Sequence, residues 1–189
     1  MIITGVTLAA LPASAALPAP VVVPATQPGG TTTAKPGSGP RPDHRPPRVV
    51  EQWASAWNTG DALAMSALFA PDGTYTDHAF QAAFTGPAGV EQWVTTTMQR
   101  FRAFRATVEN AFRLGDNIAV TWTFAGTFGD RTPFTPPHDP AGKSFSVPAT
   151  SVFTLRHDRI VSAEDYYNLA DVLRQVGLPA GPFTPPGAN

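Results

Sequence analysis

The sequence predicts an α+β fold: a cone-shaped, curved antiparallel sheet wrapped around about three N-terminal helices, with a short C-terminal helix. Three observations predict it. Helical patterning is confined to residues 48–101 before the sheet begins. From about residue 104 the apolar period drops to two and holds through four successive segments. The last of these runs into a short amphipathic stretch closed by Gly177 and Pro179. Helices segregated from a meander of strands argue against alternating βαβ units and a parallel sheet. No internal repeat is visible.

The elements follow in order. Over residues 48–59, Val49, Trp53 and Trp57 recur at i, i+4, i+8 with Val50 beside them, which gives one apolar helix face ended by Gly60. Asp61 can cap a second short helix that runs through Phe69 and stops at Pro71. Residues 73–80 are β-prone. A third helix starts at Gly86-Pro87 and turns Val90, Trp93, Val94, Thr97 and Phe101 inward, although Thr95-Thr96-Thr97 is a poor helical run. Strands are expected at 104–113, 117–128, 144–157 and 159–167. In the second, Ile118, Val120, Trp122 and Phe124 alternate with polar neighbours; in the third, Phe145, Val147, Ala149, Ser151, Phe153 and Leu155 share a face. Gly115-Asp116 and His157-Asp158 stand where tight hairpin turns are needed. Residues 129–142 carry four prolines and read as a loop.

Composition bounds the rest. Residues 12–47 hold ten prolines with several glycines and too few large apolar side chains to offset chain entropy. The chain therefore divides into a possible signal-peptide remnant at 1–16, a Pro/Gly/Thr-rich disordered linker at 17–47, one folded domain at 48–180 and a flexible tail at 181–189. Trp53, Trp57, Trp93 and Trp122 all fall in the domain. The N-terminus has a short apolar run at 2–11 and a small-residue Ala13-Ser14-Ala15 pattern, but no Lys or Arg precedes the run. Secretion or export, or otherwise a cytoplasmic location, stays open. The run is too short and too broken by Pro12 to span a bilayer. Net charge is −1 with acids and bases mixed, so neither nucleic acid nor an anionic membrane has an electrostatic footprint. Cysteine is absent, which removes disulfides, thiolate nucleophiles and thiolate metal sites. No phosphate-cradling Gly-rich loop, serine nucleophile elbow or paired-His zinc motif occurs, and no cofactor is expected. His138 and Asp139 lack a third ligand, so no metal site is expected.

The order WNTGD, APDGTYTDHAF, FTGPAGV, PAGKSFSVPATSVF and YYNLADVLRQVGLP resembles that of SnoaL-like, polyketide cyclase-like proteins of the NTF2-like superfamily. The resemblance covers about residues 48–180 and implies the cone architecture, a pocket for a small apolar molecule, and a homodimer. In the cyclases of that family, the residue where the last strand meets the last helix is typically an aspartate that moves a proton. Here Asn168 stands at that position. An amide can donate and accept hydrogen bonds but cannot take up a proton.

Carried over position by position, Glu164, Tyr166 and Asn168 would line the pocket, with Asp165 and Tyr167 on the opposite face. Glu164 would then be a buried carboxylate of raised pKa and a base, or else a solvated charge at the rim. Asp77 and His78 follow Tyr75 on a short strand that the family aims at the cone mouth. They form the best acid/base pair, but alternation lets only one face inward. Asp77 goes with Tyr75, and His78 with Thr76 and Phe80. Asp77, Tyr166 and Asn168 are expected to converge in one cavity with Trp122 or Trp53 on its wall, the tryptophans serving as core or as ligand cage. Asp171 caps or solvates the last helix. Three functions remain: acid/base enzyme on a small apolar cyclic substrate using Asp77, His78 or Glu164, non-catalytic small-ligand binder, or interaction domain. An open sheet rich in Val, Phe and Thr leaves an outer face that favours a homodimer.

Overall fold

Tight turns with positive backbone φ organise the C-terminal half of the domain. In the computed structural model, which describes residues 45–134 and 136–181, β3 (Phe101–Leu114) and β4 (Asn117–Phe128) meet at Gly115-Asp116. β5 (Ser144–Arg156) and β6 (Arg159–Tyr167) meet at His157-Asp158, where both residues have φ near +55° (51° and 60°). That geometry matches the right-handed twist of the flanking strands. The expected signal remnant, most of the linker and most of the tail lie outside the described residues.

Before these hairpins come α1 (Arg48–Thr59), α2 (Ala62–Ser66), β1 (Phe69–Asp77), β2 (Ala82–Thr85) and α3 (Gly86–Arg100); after them comes α4 (Leu169–Gln175). Gly60 ends α1 in the left-handed region, its N–H bonded to the carbonyls of Ala56 and Trp57. Asp61 caps α2 by accepting from Ala64 N at 2.8 Å. α2 is shorter than the sequence suggests. Phe69 already belongs to β1, where it pairs with Ile160 of β6. Strand pairing across the sheet outweighs the weak local helical preference of five residues. The Thr95–Thr97 run stays helical because Val90, Trp93, Val94 and Thr97 are buried on one face.

The six strands run in the order β2-β1-β6-β5-β4-β3. All pairs are antiparallel except β1 and β6, which are parallel. The parallel pair is a departure from an all-antiparallel meander, and it places Asp77 directly beside Asp165 in register. Inward rows of β4 and β5, Ile118 to Phe128 and Phe145 to Leu155, share one core with the buried faces of α1 and α3, and Trp53 of α1 meets Trp122 and Phe153 edge-on. Gly73 in β1 sits where an added Cβ would meet the carbonyl oxygen of Ile160 at 2.6 Å, so the close crossing of β1 over β6 needs glycine there.

One irregularity decides which face of β6 looks inward. Leu155 pairs with Ile160 and Thr154 with Ser162, so Val161 is an extra residue on β6. Ile160 is buried; after the bulge the buried positions are Ala163 and Asp165. The expectation that Glu164, Tyr166 and Asn168 face inward is therefore corrected. Alternation restarted by one residue turns Ala163, Asp165 and Tyr167 toward the helices instead.

Candidate active site

Two carboxylates enter the interior side by side. Asp77 ends β1 and Asp165 sits on β6, and they are 4% and 3% exposed. They line a cavity between the sheet and α3 whose other walls are aromatic, including Trp57, Trp93, Trp122, Phe104 and Phe124. The free space is about 30 Å³, room for little more than one or two water-sized groups. Phe80, Arg100, Phe101 and Pro133 also border it.

A directed chain of hydrogen bonds ends on Asp165. Trp53 and Trp57 both donate through Nε1 to Tyr75 Oη, at 3.2 and 3.0 Å. Tyr75 donates to Asp165 Oδ2 at 2.7 Å. From the other side Trp122 Nε1 donates to Ser151 Oγ at 2.9 Å, and Ser151 donates to Asp165 Oδ1 at 2.5 Å. An indole N–H can only donate. With two indoles on its lone pairs, the Tyr75 hydroxyl must pass its own proton on to Asp165. Both hydroxyls thus present donors to the carboxylate, which is left as the acceptor at the end of the chain.

Burial nonetheless wins at Asp165. Loss of solvent raises its carboxyl to about 7, against the lowering effect of the Ser151 and Tyr75 bonds, and the neighbouring Asp77 charge adds to the rise. Burial also raises Asp77, opposed first by the Phe80 peptide N–H on Oδ1 and then by Tyr167 Oη on Oδ2 at 2.7 Å. Tyr75 and Tyr167 are both pushed well up, chiefly by burial, and stay protonated donors.

The remaining sequence candidates divide between wall, core and outer surface. Asp77 and Trp122 line the cavity; Tyr75 and Trp53 lie behind it in the chain that reaches Asp165. His78, Glu164 and Tyr166 gather on the outer face of the sheet. There His78 Nε2 lies 3.1 Å from Glu164 Oε2, Tyr166 Oη donates to the same oxygen at 2.5 Å, and the His78 and Tyr166 rings stack 4.4 Å apart. Glu164 is held below the usual carboxylate range, first by the Tyr166 bond and then by His78, the reverse of the expected rise. Tyr166 is 43% exposed. Asn168 is exposed and caps α4, accepting from Asp171 N at 3.3 Å. The expected convergence of Tyr166 and Asn168 with Asp77 is thus not formed, for the bulge at Val161 rotates both away.

Asp165, Tyr167 and Ser151 escaped the sequence reading. One signal was available: Ser151 is the lone hydroxyl in the inward apolar row of β5, and a buried hydroxyl calls for a polar partner across the strand. Its register partner on β6 is Asp165. Among the described residues no group of three or more His, Asp or Glu side chains could hold a metal ion, and no helix is long and apolar enough to cross a membrane.

Residues 50–163 match the SnoaL-like domain family. Similar folds occur among solved structures. A hypothetical protein with a ketosteroid isomerase-like fold from Catenulispora acidiphila, in complex with trimethylamine, is 34% identical. The alignment covers 75% of this chain and 100% of that one, with a TM-score of 0.63. A candidate SnoaL-like polyketide cyclase from Jannaschia is 20% identical over 69% of this chain and 92% of its own, TM-score 0.57. A candidate polyketide cyclase from Pseudomonas putida is 22% identical over 68% and 96%, TM-score 0.57. No curated protein matches the chain.

Proposed function

The chain belongs to the SnoaL-like domain family, and on that premise we propose that it is an acid/base enzyme that moves a proton on a small, largely apolar molecule. One observation carries the reading. A chain of fixed donors ends on a buried carboxylate, Asp165, which lines the cavity and titrates at about 7. A base is most effective when its pKa lies near the working pH, and paired acids in unlike surroundings divide the roles. In this assignment Asp165 takes the proton and returns it. Asp77, held by a peptide N–H and by Tyr167, carries the neighbouring charge that keeps Asp165 a stronger base. With about 30 Å³ free, a ligand larger than one or two water-sized groups must displace Phe80, Phe101 or Pro133 at the border.

The test is solvent deuterium incorporation into a panel of small enolisable ketones, followed by NMR at pD 6–8. Asp165→Asn should slow exchange by about 10²–10⁴-fold. No exchange with the native chain, or equal exchange in the variant, would sink the assignment.

A second reading is a non-catalytic binder of a small amine. The Catenulispora relative was solved with trimethylamine, and aromatic walls with two carboxylates suit a compact ammonium ion. Titration with trimethylammonium, weakened in Trp57→Leu, supports this reading. We also propose a homodimer through the outer sheet face, where Phe112, Ala119 and Val152 lie side by side across β3, β4 and β5. Phe112 is 63% exposed and Val152 36%. Sedimentation that stays monomeric across micromolar concentrations would contradict it.

A further inference from the structure

A cavity with about 30 Å³ of free space admits a larger ligand only when a side chain at its border moves. The border residues are not held alike. Phe101 packs on the rings of Phe104, Phe124, Phe128 and Phe145, with centroids between 4.8 and 6.0 Å away. Pro133 lies in a loop tied down at three points. Gly129 N donates to the Arg100 carbonyl at 2.7 Å, Arg102 pairs with Asp130 at 2.6 Å, and the Phe134 ring meets Phe128 at 5.7 Å. Phe80 has one ring partner among the described residues, Tyr167 at 6.3 Å, and it sits on the turn of residues 78–81 between β1 and β2. In that turn Gln81 has a φ of 54°. A residue with a Cβ holds this left-handed conformation only where its surroundings impose it.

The turn is fastened on both faces of the sheet. Inside, Asp77 Oδ1 accepts from Phe80 N at 2.8 Å. Along the strand, His78 N donates to the Asp165 carbonyl at 3.1 Å. Outside, the His78 ring lies 3.1 Å from Glu164 Oε2 and stacks on Tyr166, whose hydroxyl donates to the same oxygen. Ser162 Oγ donates to the other oxygen of Glu164 at 3.2 Å. Asp77-His78 and Glu164-Asp165 thus face each other as two dipeptides, with the acid pair inside and the His–Glu pair outside. His78, Glu164 and Tyr166 are absent from the cavity lining, so their hold on the site runs through the turn.

We propose that the 78–81 turn is the door of the cavity, with Phe80 as its leaf and Gln81 at its hinge, and that the His78–Glu164–Tyr166 cluster on the outer face is its latch. Opening breaks the Phe80 N–Asp77 bond and parts Phe80 from Tyr167, while β6 keeps its pairing with β5. The three latch residues are positioning residues. The door rests on the proposed use of this cavity as the ligand site and on no proton-transfer step.

Amide hydrogen exchange and acrylamide quenching on the full chain test it without ligand or activity, so its failure is separate from that of the deuterium assay. All four tryptophans are buried, and Trp57, Trp93 and Trp122 line the cavity, so quenching reports entry. In the native chain the Phe80 amide should exchange by local opening, faster than the core amides of β4. Glu164→Ala removes the bonds to His78 and Tyr166. It should speed Phe80 exchange about 10-fold and raise quenching, while the Gly129 amide on the neighbouring loop stays within about twofold. Phe80→Ala should raise quenching too, and adding Glu164→Ala to it should bring no further rise. Phe80 exchange as slow as that of the β4 core, equal acceleration at Gly129, or additive quenching in the double variant would each overturn the door. Should Glu164→Ala not fold, Tyr166→Phe keeps the stacked ring and loses one bond; no acceleration at Phe80 there overturns the latch.

Discussion

Replacing Asp165 by asparagine should change the sign of its effect on stability as pH rises. The native carboxyl titrates at about 7, against 3.8 for the ordinary aspartate. Between those values the folded chain holds a proton that the unfolded chain has released. Stability therefore falls as pH rises from about 4 to about 7 and levels off above. The rise is about three pKa units at roughly 1.4 kcal/mol each, so this one group can remove about 4 kcal/mol across the window. Asparagine does not titrate. It does, however, offer one acceptor where two are used, so either Tyr75 or Ser151 would face an N–H₂ group, at a cost of about 1–3 kcal/mol at every pH. The variant should be less stable than the native chain at pH 4.5, where the native chain has lost only about 1 kcal/mol, and more stable at pH 8, where it has lost about 4. Urea denaturation at half-unit intervals from pH 4.5 to 8.5 measures the difference directly, with other titrations cancelling in the comparison. A difference constant to about 0.5 kcal/mol over the whole range would refute the argument, since Asp165 would then titrate alike in both states.

Other substitutions test the frame around the site. Tyr75→Phe removes the shared acceptor of Trp53 and Trp57 and one donor to Asp165. It should cost about 2–4 kcal/mol in urea unfolding and extend the pH-dependent loss to higher pH. Gly73→Ala, with a Cβ driven to within 2.6 Å of the Ile160 carbonyl, should lower the melting temperature by several degrees, about 1–3 kcal/mol. Asn168→Ala should cost only about 1 kcal/mol as a lost helix cap and leave deuterium exchange into the small ketones unchanged. A strong loss of exchange there would return the site to the end of β6.

The fold was legible wherever one face is consistently buried. β4 and β5 alternate without interruption, so their strand ranges and the inward rows from Ile118 to Phe124 and from Phe145 to Leu155 were readable. α3 was readable despite its threonines because Val90, Trp93, Val94 and Thr97 keep helical spacing. Two features were hidden for physical reasons. β1 pairs in parallel with a strand about 90 residues away, as in Asp77 with Asp165, and local periodicity carries no information about such a partner. The phase of β6 depends on Val161 being extra, and a bulge is set by the partner strand as much as by its own residues. The polar site sits at the meeting of those two features. Asp77 was found because it shares parity with Tyr75, while Asp165 was placed on the wrong face.

The bulge also bears on how such a site could change by insertion or deletion. Its two faces spell nearly the same pair, Glu164-Tyr166 outside and Asp165-Tyr167 inside. Loss of the single residue Val161 would close the bulge and leave every later pair in place, from Thr154 with Ser162 to Ser151 with Asp165, so Asp165 and Tyr167 would still face the helices. Regular pairing with Val161 retained would instead turn Ser162, Glu164 and Tyr166 inward, and the acid would reach one methylene further into the cavity. The extra residue thus selects between two nearly equivalent acid–phenol faces, and a register slip, rather than a shorter strand, is the event that would exchange them.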